Sequence, residues 1–344
     1  MNILKTIEHD RNFATVDIFK FIMAFAVIAI HTNPVVNCTN PIIENIVKIV
    51  EGWAVPFFFI ASGFFMFYNK ESNKDLQVQR LGIYLKKIII LYCVWTFFSF
   101  PLAIYGYMES DNTIRECVFS YIKYFLFVGK LYNSYHLWYL LALIYAVAII
   151  YFMMKHKCKI EHILIVAVTL YFMNDLLQYL INNLQNTASI MYKVAYVYQY
   201  VFNKGGIFTG MLYVSMGMVI AHRRQYLNRW ISILVIVALN FIKPHCGSSF
   251  VVYLKMVEAT AIFMALISIE IRDGTEWHYL RKASTIIYLS HLIWYSLYTF
   301  TIIKKPNKLG LDSFVVTSVL SLANAIVLIE LMKKPKMKWI KEIT

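Results

Sequence analysis

The sequence predicts an all-α integral membrane protein, a bundle of about ten transmembrane helices with amino and carboxyl termini cytoplasmic. Three observations lead there. Of 344 residues, 60% are apolar and only 15% are charged, a balance that no soluble domain of this length needs. Apolar windows long enough to cross a bilayer recur along the whole chain, joined by connections too short to fold alone. Basic residues gather beside alternate windows, the asymmetry that orients spans in a membrane. Residues 1–344 therefore read as a single membrane-embedded domain whose first partner is the lipid bilayer.

The first span, Val16–Thr32, carries Asp17 and Lys20 at its start and lacks a small-residue cleavage site, so it reads as a retained helix. Trp53–Tyr68, Ile83–Tyr105, Leu137–Met154 and Ile163–Ile181 follow, then Gly206–Ala221, Ile231–Ile242, Phe250–Ile271, Thr285–Ile303 and Leu311–Met332. The second and seventh windows are shorter than the roughly 20 residues of a perpendicular crossing, and flanking aromatic residues complete them. Arg115–Val128 alternates polar and apolar residues at helical spacing, which suits an interfacial helix on the outer surface.

With the amino terminus inside, the inner segments hold 21 basic residues, among them Arg11, Lys70 and Arg281, against 10 outside, among them Lys204. The outer cluster Lys304, Lys305 and Lys308 runs against this rule, which is statistical over the whole chain. The net charge of +14 collects in these loops, so it sets orientation and implies no nucleic-acid partner. Cys38, Cys93, Cys117, Cys158 and Cys246 show no CxxC or metal-like spacing, and no metal is expected. Cys38, Cys117 and Cys246 fall on the outer side, where one disulfide is allowed and its pairing stays open.

Chemistry concentrates on the first span. Lys20 and His31 lie eleven residues apart, about three turns, so they share a face and stand about 16 Å apart along the axis. An ionisable group at such depth faces protein or a water-filled cavity and is a functional candidate, against the alternative of a hydrated structural histidine before Thr32-Asn33-Pro34. Asp17 suits the positive end of the helix dipole, with Thr15 as cap, a role that does not exclude a second one.

The Asp17-x-x-Lys20-x10-His31 opening resembles the Asp-x-x-Arg-x10-His opening of the bacterial integral membrane acyltransferases known as acyltransferase family three. Val55-Pro56-Phe57-Phe58-Phe59-Ile60-Ala61-Ser62-Gly63 resembles the family's Pro-x-Phe-Phe-x-x-Ser-Gly segment. His136-Leu137-Trp138-Tyr139-Leu140 resembles its His-Leu-Trp-Phe-Leu segment, and Gly206–Gly210 and Tyr288-Leu289-Ser290-His291 are weaker echoes. Two departures stand out: lysine replaces arginine at Lys20, and Tyr84-Leu85-Lys86-Lys87 stands where the family has Arg-x-x-Arg. Charge is kept, but the bidentate guanidinium geometry is lost.

The resemblance implies transfer of an acyl group, usually acetyl, from cytoplasmic acyl-coenzyme A to a hydroxyl of an extracytoplasmic or membrane-linked glycan, in the cytoplasmic membrane of a bacterium. A basic inner mouth of Lys20, Arg80, Lys86 and Lys87 suits the coenzyme's phosphates. Its thioester arm then runs up the helix face towards His31, the expected general base, with Asp17 as the second catalytic candidate. An acyl-histidine intermediate is the variant. Ser62, His136 and Trp138 from the resembling segments, together with Glu258, are the candidate substrate-binding residues. Three of the four have a structural alternative: Ser62, with Gly63, allows close helix packing, Trp138 belongs to the aromatic belt, and Glu258 pairs with Lys255 three residues away. His291 is read as a helix contact.

The rival reading is a permease for a small polar solute using the same cavity, and a third is an idle scaffold of an envelope-polysaccharide complex. A carrier of neutral solutes has no need of Lys20 and His31 above a basic inner mouth. Some relatives of this membrane domain are fused to a soluble racemase; this chain ends soon after its last span, and racemase activity is not expected.

Overall fold

In lipid an apolar run satisfies its own backbone only by coiling, and the long apolar windows of this chain are helices. The computed structural model describes residues 4–6, 12–68, 74–183, 190–202, 206–272, 274 and 276–342; Arg11, Lys70 and Lys204 lie outside them. A short strand β1 (Leu4–Thr6) precedes α1 (Ala14–Thr32), α2 (Pro41–Tyr68), α3 (Lys74–Met108) and α4 (Ile114–Lys123). The chain continues through α5 (Trp138–Lys155), α6 (Ile160–Asn183), α7 (Ile190–Phe202) and α8 (Gly206–Arg223) to strand β2 (Gln225–Leu227). It ends with α9 (Arg229–Ile242), α10 (Ser248–Ile267), α11 (Glu276–Leu297) and α12 (Leu311–Leu331).

Among the described residues eight helices are long and apolar enough to cross a membrane, or nine spans if α7 and α8, bent by 74°, form one broken crossing. The sixth and seventh sequence windows are where this differs from ten. Gly206–Arg223 qualifies only together with α7, which no sequence window marked. The 14 residues of α9 extend about 21 Å, less than a hydrocarbon core of about 30 Å. The short strands β1 and β2, and an isolated bridge between Leu131 and Ser134, depart from an all-α chain.

The chain divides into two units, Met1–Asn69 with Ile220–Thr344, and Lys70–Val219. In the first, β1 and β2 pair antiparallel with Leu4 opposite Leu227 and Thr6 opposite Gln225. The start of α1 meets the ends of α2 and α10. Phe13 packs edge-on to Phe64 and Tyr68, at 5.2 and 4.8 Å between ring centroids, and Thr15 Oγ1 donates to the Leu266 carbonyl at 2.8 Å. At the other end of α1 the Gly310 N–H donates to the Thr32 carbonyl at 2.8 Å, fastening the α11–α12 connection there. Gly310 has φ +142°, a backbone region that favours glycine.

Small residues let α1, α11 and α12 approach closely. Ala24, Ala283 and Ala325 sit in one buried cluster with Ile28, Ile286, Ile287 and Ile329. Ser313, Thr317, Ser321 and Ala325 recur every fourth residue of α12 and are fully buried. Such small side chains, and not a hydrophobic drive, are what draw helices together in lipid.

In the second unit α3 packs on α5, and side chains tie the connection between α4 and α5 to the helices beside it. Tyr92 Oη donates to the Phe125 carbonyl at 2.7 Å and Asn133 Nδ2 to the Leu102 carbonyl at 3.1 Å. The segment Arg115–Val128, expected as an interfacial helix, is helical as α4 and a π-helical turn, Tyr124–Val128. α4 opens with a capping box between Thr113 and Glu116 and buries no residue, as a helix lying on a surface should. Gly129, at φ +73°, then turns the chain so closely against Trp138 that a β-carbon there would stand 2.5 Å from the Trp138 Cα. All five cysteines are free thiols, so the outer disulfide left open by the sequence is not formed in this structure.

Candidate active site

Asp17 is a carboxylate with no exposure to solvent in the first turn of α1. Left alone there it would be costly, and it is met by a guanidinium. Arg281 Nε donates to Oδ1 at 2.8 Å and Nη2 to Oδ2 at 2.6 Å, a bidentate pair of the strong kind. Lys20, one turn along, stands 3.9 Å from Oδ1 with its side chain 17% exposed, and its ammonium lies 4.3 Å from the centre of the Phe65 ring. One negative and two positive charges leave this trio with a net positive charge.

His31 occupies the last turn of α1, which Asn33 closes in the left-handed conformation with φ 42°. Its ring lies 5.3 Å from that of His291, inclined by 36°. His291 is completely buried on α11, and its Nδ1 is 2.7 Å from the Tyr288 carbonyl. A carbonyl only accepts, so Nδ1 carries the hydrogen, and the Nε2 of the neutral ring keeps its lone pair. Between Lys20 and His31 the same face of α1 presents Ala24, Val27 and Ile28, all buried. That face is therefore turned into protein, not lipid. Asp17, expected beside His31 in catalysis, stands fourteen residues away, about 21 Å along the helix, and its contacts are with cations.

Glu258 departs from its expected pairing. It is 2% exposed, and instead of Lys255 it meets Lys243 at 2.6 Å and accepts from Asn240 Nδ2 at 2.6 Å. Lys243 lies one residue beyond α9, so the pair joins α9 to α10 where the sequence suggested a contact within one helix. Ser62 is half-buried on α2, one turn from Phe58, whose ring lies 6.3 Å from that of Tyr288. In the second unit Arg80, Lys86 and Lys87 are exposed on α3. His136 is buried in a single 3-10 turn, and Trp138 packs on Gly206, whose β-carbon would meet the indole at 2.8 Å.

Sequence reading named neither Arg281 nor His291 as a site residue. A signal existed for both: a carboxylate inside a span requires a counter-ion, and Arg281 heads a later span, while the Tyr288–His291 segment was already an echo of a family pattern.

Two relatives from Enterococcus faecalis named amino-acid racemase are 34% identical over 163 residues, covering 47% of this chain and 21% of theirs, and 32% identical over 125 residues, covering 36% and 17%. The chain thus spans about a fifth of the length of these relatives. No solved structure matches. The family described as an acyltransferase domain matches residues 13–330, nearly the whole chain. On that match, and with its apolar helices, the chain belongs to the multi-pass membrane acyltransferases of family three.

Proposed function

We propose that this enzyme moves an acyl group, most simply acetyl, from cytoplasmic acyl-coenzyme A to a hydroxyl of an extracytoplasmic or lipid-linked glycan in a bacterial cytoplasmic membrane. The observation that supports it most is the placement of one helix's two reactive ends. A cationic trio stands at the start of α1, taken as its cytoplasmic end, and a pair of imidazoles stands at its finish.

Lys20, whose charge exceeds what Asp17 can offset, is the phosphate ligand of this unit, and Asp17 and Arg281 are positioning residues that hold it. Arg80, Lys86 and Lys87 are exposed cations of the second unit, of the charge that a phosphate needs. His31 accepts the proton of the acceptor hydroxyl as its oxygen attacks the thioester carbonyl. The carbon–sulfur bond breaks, and the imidazolium returns the proton to the departing thiolate. The C-terminal end of α1 favours the transient positive charge. The His291 lone pair, fixed by the Tyr288 carbonyl, orients the His31 ring. Ser62, His136, Trp138 and Glu258 remain candidates for acceptor contacts.

The test is acyl transfer by purified protein in vesicles, with labelled acetyl-coenzyme A on the inner side and a glycan acceptor outside. His31→Ala should lose at least about a hundredfold in rate while still inserting and binding coenzyme A. A fully active variant would sink the general-base reading. Wild-type protein that binds no coenzyme and accumulates solute would instead identify the permease.

A further inference from the structure

A cavity of about 550 Å³ lies between α2, α9 and α10, and neither His31 nor Lys20 lines it. Its size is that of a small-ligand pocket. Its wall includes Glu258, a carboxylate inside a span, which lipid would not tolerate without compensation. Lys243 and Asn240 supply that compensation, yet the wall stays unbalanced in three ways.

The first imbalance is charge. Lys48 is paired with Glu44 and Lys243 with Glu258, whereas Lys255 is exposed and has no ion-pair partner among the described residues. The second is an acceptor. Asn240 Nδ2 donates to Glu258 at 2.6 Å and to the Ile236 carbonyl at 2.9 Å. Both are acceptors, which fixes the orientation of the amide, and Oδ1 is left sheltered from solvent without a donor among the described residues. The third is a donor, the Trp53 Nε1 hydrogen, equally sheltered and equally unmet. Buried polar atoms are seldom left so, and a donor and an acceptor in one cavity wall ask for a ligand group that can serve both.

We infer that this cavity binds an acidic sugar, one ring of a glycan bearing a carboxylate. Sugar hydroxyls both donate and accept, so they suit Asn240 and Trp53; the carboxylate suits Lys255; and the carbon–hydrogen face of the ring suits the indole. The inference rests on the acyl-transfer reading for its purpose: the cavity holds acceptor glycan at a distance from the reacting hydroxyl, so that acidic glycans are preferred.

The full-length protein in lipid nanodiscs, titrated with trigalacturonic acid and with the neutral galactose trisaccharide, tests it. The acidic probe should bind about tenfold more tightly. Lys255→Met should erase that preference and leave the neutral probe unchanged, and Trp53→Phe, which keeps an aromatic ring but loses the donor, should weaken both, each variant being checked by its melting temperature. Equal binding of the two probes, or a preference that survives Lys255→Met, overturns the proposal. Competition by inorganic phosphate as effective as that of trigalacturonic acid overturns it too, by showing an anion site without sugar recognition. His31→Ala should bind with unchanged preference. Absent preference in a protein that transfers acyl groups defeats the pocket alone, and a preference present when His31→Ala transfers normally defeats the general-base mechanism alone.

Discussion

Asp17 has no contact with water, so its charge depends on the two nitrogens of Arg281 and on the more distant Lys20. Arg281→Gln should strand that charge and destabilise the protein by about 3 kcal/mol, seen as a lower melting temperature in detergent. Arg281→Lys should fall between, since it keeps the charge and loses the second hydrogen bond. Adding Asp17→Asn to Arg281→Gln should recover much of the loss. At the other end, His291→Phe keeps a ring beside His31 but removes the Nε2 lone pair. The expected result is a fall in kcat of about tenfold or more with the KM for acyl-coenzyme A unchanged. A parallel rise in KM would instead mean a packing role. Asp17, Lys20 and His31 were legible because helical spacing along one segment is visible in sequence. Their partners were not, because Arg281 is separated from Asp17 by 264 residues and no period along one helix announces which other helix faces it.

At the scale of single elements, α4 shows how local chemistry decides a helix that packing does not support. Glu116 accepts from the Thr113 backbone and hydroxyl, each at 2.8 Å, and these bonds hold its carboxyl below its ordinary value. A carboxylate lowered in the folded state contributes stability that is present above its unfolded value of 4.5 and is lost as pH falls through the folded one. The protection of the α4 backbone amides, taken relative to their intrinsic exchange rates, should therefore fall as the pH drops below 4.5, and Thr113→Ala should show weak protection throughout. This helix was legible from its alternating residues. α7 was not: its 13 residues are short for a span, and only its junction with α8 reaches the length of one. The outer lysine cluster also looks less anomalous as part of an element, because Lys308 is paired with Asp312 and the turn is fastened to α1 through Gly310.

For the whole molecule, the first unit has two ends that can be told apart. β1, the starts of α1 and α11, the end of α10 and β2 share one, and the α11–α12 connection meets the finish of α1 at the other. Because β2 follows α8 and pairs with β1, an even number of crossings separates the two strands. That parity fits the alternation of basic residues, and it would place the amino terminus and the α8–α9 connection both in the cytoplasm. A membrane-impermeant maleimide should then label Cys38 and Cys117 from outside and Cys158 only after permeabilisation; labelling of Cys246 from outside as well would show that the chain crosses at α9 despite its length. Labelling of Cys158 in intact cells would reverse the assignment. The sequence carried the family, the helical class and the charge asymmetry. It could not show that α9 is only 14 residues long and braced by Lys243 against Glu258, since window hydropathy records apolarity and not the partner that tolerates a charge.

The pairing of Leu4–Thr6 with Gln225–Leu227 has a consequence for biosynthesis. The partner strand leaves the ribosome some 220 residues after the first one, a delay of roughly 10–40 s at ordinary rates of elongation. Throughout that interval the nascent α1 sits in the bilayer without Arg281 and without its sheet. Its acidic residue must then be tolerated by lipid, water or the insertion machinery, and fragments released before residue 281 should be prime targets for membrane quality-control proteases.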